Sequence, residues 1–158
     1  MESLADAKPG ETRSIAIGGK GSALDDGPVT VDVTFVSRSD GRFTLEDRNS
    51  HLAASQGVTF DMGPCAVVTV GDNITVLLTS RKTPPFDLAQ FRSQGIVPEQ
   101  LSWIGVKAAV AHRRAYDPIA AASYTVTTPG PCTSDLTRLP YRRIRRPIFP
   151  LDPPWMPP

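Results

Sequence analysis

An α+β domain, strand-rich in its first half and ending in a few short helices and a Pro/Arg-rich C-terminal strap, is the fold this sequence predicts. Apolar residues from Thr12 to Thr79 recur at the two-residue spacing of half-buried strands. Glycine-containing turns separate those runs. Beyond Arg81 the helix signals are short, and nine of the chain's 16 prolines fall in residues 129 to 158, which forbids a long helix there.

Residues 1–11, MESLADAKPGE, read as a disordered lead-in or linker stump, since Pro9-Gly10 is a turn and no apolar period precedes it. Thr12–Ile17 alternates polar and apolar residues as a first strand. The following GGKGSALDDGP is glycine-rich, but a phosphate cradle needs such a turn to open onto a helix N-terminus, and Pro28 leads instead into strand-like VTVDVTFVS. The loop therefore reads as a broad connection between strands. Val29, Val31, Val33 and Phe35 share one face of the next strand, with Thr30, Asp32 and Thr34 on the other. Asp40-Gly41 supplies a tight hairpin turn, and Arg42 to Asp47 is the expected returning partner. Gly71-Asp72-Asn73 turns another hairpin, between Cys65–Val70 and Ile74–Thr79.

In PPFDLAQFRSQGIVP, Asp87 caps a short helix that places Leu88 and Phe91 on one face and stops at Gly95. LSWIGVKAAVA is too short to span a membrane and predicts a buried strand. Asp117-Pro118 opens a brief helix over DPIAAA, and SYTVTT follows as a strand. Thr133 or Ser134 can cap one helical turn through Leu136. Five arginines between Arg138 and Arg146 are then interleaved with Leu139, Tyr141, Ile144, Ile148, Phe149, Leu151 and Trp155, too many large apolar groups for a solvated tail. This segment is expected to lie back on its own domain, its guanidinium groups paired with carboxylates such as Asp135 and Asp152. Only residues 153–158 keep the character of a Pro-rich tail.

A chain of 158 residues can bury roughly two-thirds of its unfolded surface as one domain. Its 17 Lys and Arg against 16 Asp and Glu leave a formal charge of +1, so no global field draws it to nucleic acid or anionic lipid. Cys65 and Cys132 lack the close pairing of a zinc or redox motif and read as reduced, buried thiols. His51 and His112 share no HExxH-type spacing, and His51 reads as a surface residue of a polar loop. No stretch reaches the roughly 18 apolar residues of a membrane helix. Met1 to Gly10 carries two acids and no apolar run, so the expectation is a soluble, cytoplasmic chain without membrane contact.

Four stretches, IGGK, DGRF, PPFDLAQFRSQGI and SDLTRLPYRRIRRPIFPLD, follow one another in a pattern that resembles the C-terminal domain of the MlrC-type proteins, named for the microcystin-degradation metallopeptidase. The closing RRPIFPLD is the most specific part. The resemblance runs over residues 12–152 and implies an accessory domain of a zinc-dependent amide hydrolase that acts on small peptide-like substrates. It also implies that the zinc and its ligands belong to a separate N-terminal catalytic domain, the expected partner of this chain. Self-association into a homo-oligomer stays open. A catalytic zinc needs about three protein ligands and an open position for water, which two unclustered histidines do not supply. No cofactor is expected within the chain, and the isolated chain is expected to be inactive as a hydrolase even with added zinc.

One constellation remains. In VKAAVAHRRAYDP, Lys107, His112, Arg113, Arg114 and Tyr116 crowd a strand end and the turn after it, where side chains leave a core. Lys107, His112, Arg113 and Tyr116 are the substrate-cleft candidates; no catalytic or metal-binding residue is assigned. In the family the related stretch reads lysine, small residue, two variable residues, histidine, aromatic. Lys107 matches without a shift, whereas Ala111 holds the histidine position and His112 stands where an aromatic is usual. Lys107 or His112 could hold a substrate carboxylate or orient a zinc-bound water. The structural alternative is a lysine that snorkels from a strand and a histidine that caps backbone carbonyls. A different class of function, a β-rich module whose arginines grip an acidic partner or nucleic acid, is less favoured, because the charge balance leaves only a local patch.

Overall fold

The computed structural model describes residues 2–128, 130, 132 and 135–152. The chain divides into two compact units, one of Met1–Ile17 with Val29–Ser123, the other of Gly18–Pro28 with Tyr124–Pro158. The first has the predicted α+β, strand-rich character. Its strands are β1 (Thr12–Ile17), β2 (Val29–Ser39), β3 (Arg42–Thr44), β4 (Thr59–Asp61), β5 (Cys65–Val70) and β6 (Ile74–Thr79); its helices are α1 (His51–Gln56), α2 (Ala89–Arg92) and α3 (Arg113–Tyr116). Four strands form one antiparallel sheet in the order β1-β2-β5-β6, and β3 pairs with β4 in a separate ribbon.

Side-chain alternation explains how this sheet is buried. β2 turns Val31, Val33 and Phe35 toward one core and keeps Thr30 and Asp32 exposed. Its pairing passes from Phe35 opposite Val68 to Ser37 opposite Val67, so Val36 is an inserted, exposed bulge residue. β5 reads as the continuous run Cys65-Ala66-Val67-Val68 because both of its faces are covered. Ala66 and Val68 join Leu4, Ala7, Ile15, Val33 and Phe35 on one side, while Cys65 joins Phe43, Leu45, Leu52, Met62 and Ala89 on the other. Gly71, at a φ of 55°, turns the β5–β6 hairpin where the sequence places it.

Several elements depart from the sequence expectation. Residues 3–11 are packed rather than a loose lead-in: Leu4 and Ala7 enter the first core, and the Arg38 guanidinium donates to the carbonyls of Ala5 and Ala7. Short stretches of this kind have no period to reveal their burial. Asp40-Gly41 does not fold β2 back on itself. Gly41 alone takes a positive φ, 73°, whereas a two-residue hairpin of the expected kind needs two such residues. The Gly41 carbonyl instead accepts the Met62 N–H at 2.9 Å, and the chain leaves the sheet to pair β3 with β4.

LSWIGVKAAVA and SYTVTT form no strand. Their apolar residues Trp103, Val110, Tyr124 and Val126 are exposed, and neither segment joins a sheet among the described residues. The helix expected over DPIAAA shrinks to a 3₁₀ turn at Asp117–Ile119, preceded by α3. Cys65 is buried as expected, but Cys132 is exposed.

In the second unit, the glycine-rich loop connects β1 to β2 and folds onto its own carboxylate. Asp25 accepts the N–H groups of Gly21 at 3.1 Å and Ser22 at 2.9 Å, so these amides are not free for a phosphate. A 3₁₀ turn at Leu136–Arg138 is capped by Asp135, which accepts the Thr137 N–H at 3.1 Å. The expected caps Thr133 and Ser134, and the tail at 153–158, lie outside the described residues. Asp152 accepts from Arg146 at 2.9 Å and from the Ile148 N–H at 2.6 Å, which closes the strap locally. Leu139, Ile144 and Leu151 are half-buried, but Tyr141, Ile148 and Phe149 are exposed, contrary to a fully docked strap. Trp155 falls outside the described residues.

Candidate functional site

The corner joining α2 to α3 is organised by one buried carboxylate. Asp87, 4% exposed, accepts the Ala89 N–H at 2.9 Å, the Glu46 N–H at 3.2 Å and the Asp47 N–H at 3.1 Å. It therefore starts α2, as its sequence position predicts, and also ties the chain after β3 to that helix. Asp47 in turn receives the Arg114 guanidinium, which anchors α3 to the same place. That hydrogen bond holds the Asp47 carboxyl below the usual carboxylate range, against the opposing effect of desolvation.

Aromatic rings complete the corner. Phe91 meets Tyr116 edge-on at 6.4 Å between centroids, and Tyr116 lies 6.3 Å from the His112 ring. Tyr116 is 5% exposed; burial, reinforced by the nearby Asp87 charge, pushes its phenol up to about 12. It is thus a protonated donor throughout the neutral range. Its hydroxyl, His112 Nδ1 and Gln90 Oε1 are buried and have no hydrogen-bond partner among the described residues. Unsatisfied buried polar atoms are rare in folded proteins, and this part of the chain supplies three of them.

Of the residues singled out from the sequence, His112 and Tyr116 come together here. Lys107 lies exposed on the irregular segment before α3, and Arg113 is exposed on α3 itself. The sequence reading missed Gln90 and the second role of Asp87. A glutamine between Ala89 and Phe91 in an otherwise apolar helical stretch was the available signal for the first. Nothing local marks Asp87 as a tie to residues 46 and 47, because that contact spans some forty residues of chain.

The donor set does not fit a catalytic zinc. Among the described residues no three His, Cys, Asp or Glu side chains are grouped so as to hold a metal ion. At the α3 corner the oxygens of Asp87 are taken by backbone N–H groups and Asp47 is taken by Arg114, which leaves His112 without carboxylate co-ligands. No helix among the described residues is long and apolar enough to cross a membrane.

The chain matches no curated protein and no solved structure. The family model described as MlrC C-terminus matches residues 1–143, which takes in the sheet, both cores and the α3 corner. This chain belongs to the MlrC C-terminus family.

Proposed function

We propose that this chain is the accessory C-terminal domain of an MlrC-type zinc metallopeptidase, an amide hydrolase for small peptide-like substrates whose metal is held by a separate N-terminal domain. The family match over residues 1–143 carries this reading. The α3 corner is the part of the domain suited to the junction with that N-terminal domain, since its buried polar groups lack partners among the described residues. Tyr116 offers a hydroxyl that stays protonated at neutral pH, and His112 offers a ring nitrogen without an internal partner. Lys107 and Arg113 add exposed positive charge nearby in sequence, suited to a substrate carboxylate. Zinc, when bound in the other domain, supplies the activated water; the residues of this chain bind and orient.

Co-expression of the chain with the N-terminal part of an MlrC-type protein tests the proposal. Zinc-dependent hydrolysis of linear peptides is expected from the pair and not from the 158-residue chain alone. Metal-dependent turnover by the chain alone would refute the division of labour. In the pair, Lys107→Ala is expected to raise KM by about tenfold, the loss of one charge-assisted contact. Unchanged kinetics in that variant would leave Lys107 outside the cleft.

A further inference from the structure

We infer that the outer edge of β6 pairs antiparallel with β6 of a second copy of this chain, about a two-fold axis at Leu77, so that two four-stranded sheets become one. The inference is independent of the functional reading above. The sheet order β1-β2-β5-β6 leaves β6 without a neighbouring strand on its outer side among the described residues. Alternate N–H and C=O groups of Ile74–Thr79 therefore point away from β5 and enter no ladder there. Such a row is a template for a further strand, and natural sheets commonly blunt it with a charge, a proline or a bulge. β6 has none of these: Ile74-Thr75-Val76-Leu77-Leu78-Thr79 is uncharged and pairs with β5 in unbroken register. β1, at the opposite edge, carries Arg13, whose guanidinium is tied to the Ser3 carbonyl and to Asp6 and Glu11.

Both faces of β6 are half finished. Val76 and Leu78 pack at the margin of the first core and Leu77 at the margin of the second, and all three stay half-buried. A strand added alongside covers both margins at once. The occupant follows from the sequence of the edge. Side chains directly opposite in an antiparallel pair lie on the same face, so a two-fold relating two copies of one strand must set some residue against its own copy. With Leu77 in that place, Val76 stands opposite Leu78 on one face and Thr75 opposite Thr79 on the other, apolar with apolar and hydroxyl with hydroxyl. Carried past the strand ends, this register brings Asp72 level with Lys82 at both ends, two exposed charges of opposite sign that form no ion pair among the described residues. Centring on Val76 sets Thr75 against Leu77 and Asp72 against Ser80; centring on Leu78 sets Leu77 against Thr79 and Ile74 against Lys82. Both lose the match of charge and side chain, which singles out Leu77 and makes the edge complementary to itself.

Sedimentation velocity of the 158-residue chain over a range of concentrations tests this. A reversible monomer–dimer equilibrium is expected, with no larger species, since a two-fold pairing uses up β6 of each copy. Amide exchange over Ile74–Thr79 is expected to slow as the concentration rises. Thr75 is exposed, so Thr75→Lys puts a charge on the edge without entering a core. It is expected to weaken dimerisation by about tenfold or more, with an unchanged thermal melt at concentrations where the parent chain is monomeric. Asp72→Lys and Lys82→Asp are each expected to weaken dimerisation by about fivefold, and the double variant to restore the parent affinity. A chain that stays monomeric at millimolar concentration would overturn the inference. So would a dimer indifferent to Thr75→Lys, which would put the contact on another surface, and so would a double variant that dimerises no more tightly than the single ones, which would refute the register.

Discussion

Tyr116 shows how a single side chain can be anchored by its ring and left unfinished at its hydroxyl. The ring packs against Phe91 and His112, but the hydroxyl is buried without a partner among the described residues. Leaving such a group unsatisfied costs about 1–3 kcal/mol, so Tyr116→Phe is expected to stabilise the isolated chain by about 1 kcal/mol in urea melts at neutral pH. The same burial sets a pH dependence. The phenol's ordinary value is 10.0 and burial moves it to about 12 in the folded chain. Below pH 10 it is neutral in both states. Between the two values the unfolded chain has lost the proton that the folded chain keeps, so stability falls as pH rises, by about 3 kcal/mol once both values are passed. Melts between pH 9 and 12 should show this fall in the parent chain and a shallower one in Tyr116→Phe. If the reconstituted enzyme loses turnover in the same variant while the isolated chain gains stability, the hydroxyl serves substrate rather than the fold.

Among the elements, the join between the sheet and the β3–β4 ribbon depends on two residues whose roles reach beyond their neighbours. A Cβ on Gly41 would lie 2.1 Å from the Gly63 carbonyl oxygen and 2.7 Å from Cys65 Sγ, and the residue sits at a φ of 73°. Gly41→Ala therefore meets strain and overlap together, and a loss of about 3 kcal/mol is expected in chemical denaturation. Asp87→Ala would orphan three backbone N–H groups and is expected to cost about 2–4 kcal/mol by the same measurement, with faster amide exchange at residues 46 and 47. Sequence patterning made β1, β2 and the β5–β6 hairpin legible, since each is a local alternation ended by a turn. Asp87 was legible as a cap for the same reason. The exit of β3 from the sheet was not, because Asp40-Gly41 carries the same turn signal whether the chain folds back or departs; the deciding partner, Met62, lies on a later segment. LSWIGVKAAVA has the composition of a buried strand, but no edge among the described residues pairs with it and its backbone closes a local turn from the Ala108 N–H to the Val106 carbonyl, which composition does not reveal.

For the molecule as a whole, charge is balanced in number but uneven in place. The formal net charge is +1, yet five arginines crowd residues 138 to 146. In that stretch Arg146 is paired with Asp152, and Arg138, Arg142, Arg143 and Arg145 form no ion pair among the described residues. Tyr141 and Phe149 are exposed beside them, so the strap has the ingredients of a single-strand groove. Its arrangement argues otherwise. Asp152 neutralises one end, Asp25 occupies the Gly21 and Ser22 amides of the glycine-rich loop, and the formal charge of the whole chain is only +1. Four arginines gripping phosphates would make binding to single strands fall with salt at a logarithmic slope of about −3. The expected result, from fluorescence anisotropy with mixed single-stranded oligonucleotides at moderate salt, is no micromolar binding. Micromolar affinity with a slope near −3 would assign the arginines to nucleic acid. Its absence, together with weaker association of Arg142→Ala/Arg143→Ala with the N-terminal part of an MlrC-type protein, would assign them to carboxylates on that partner.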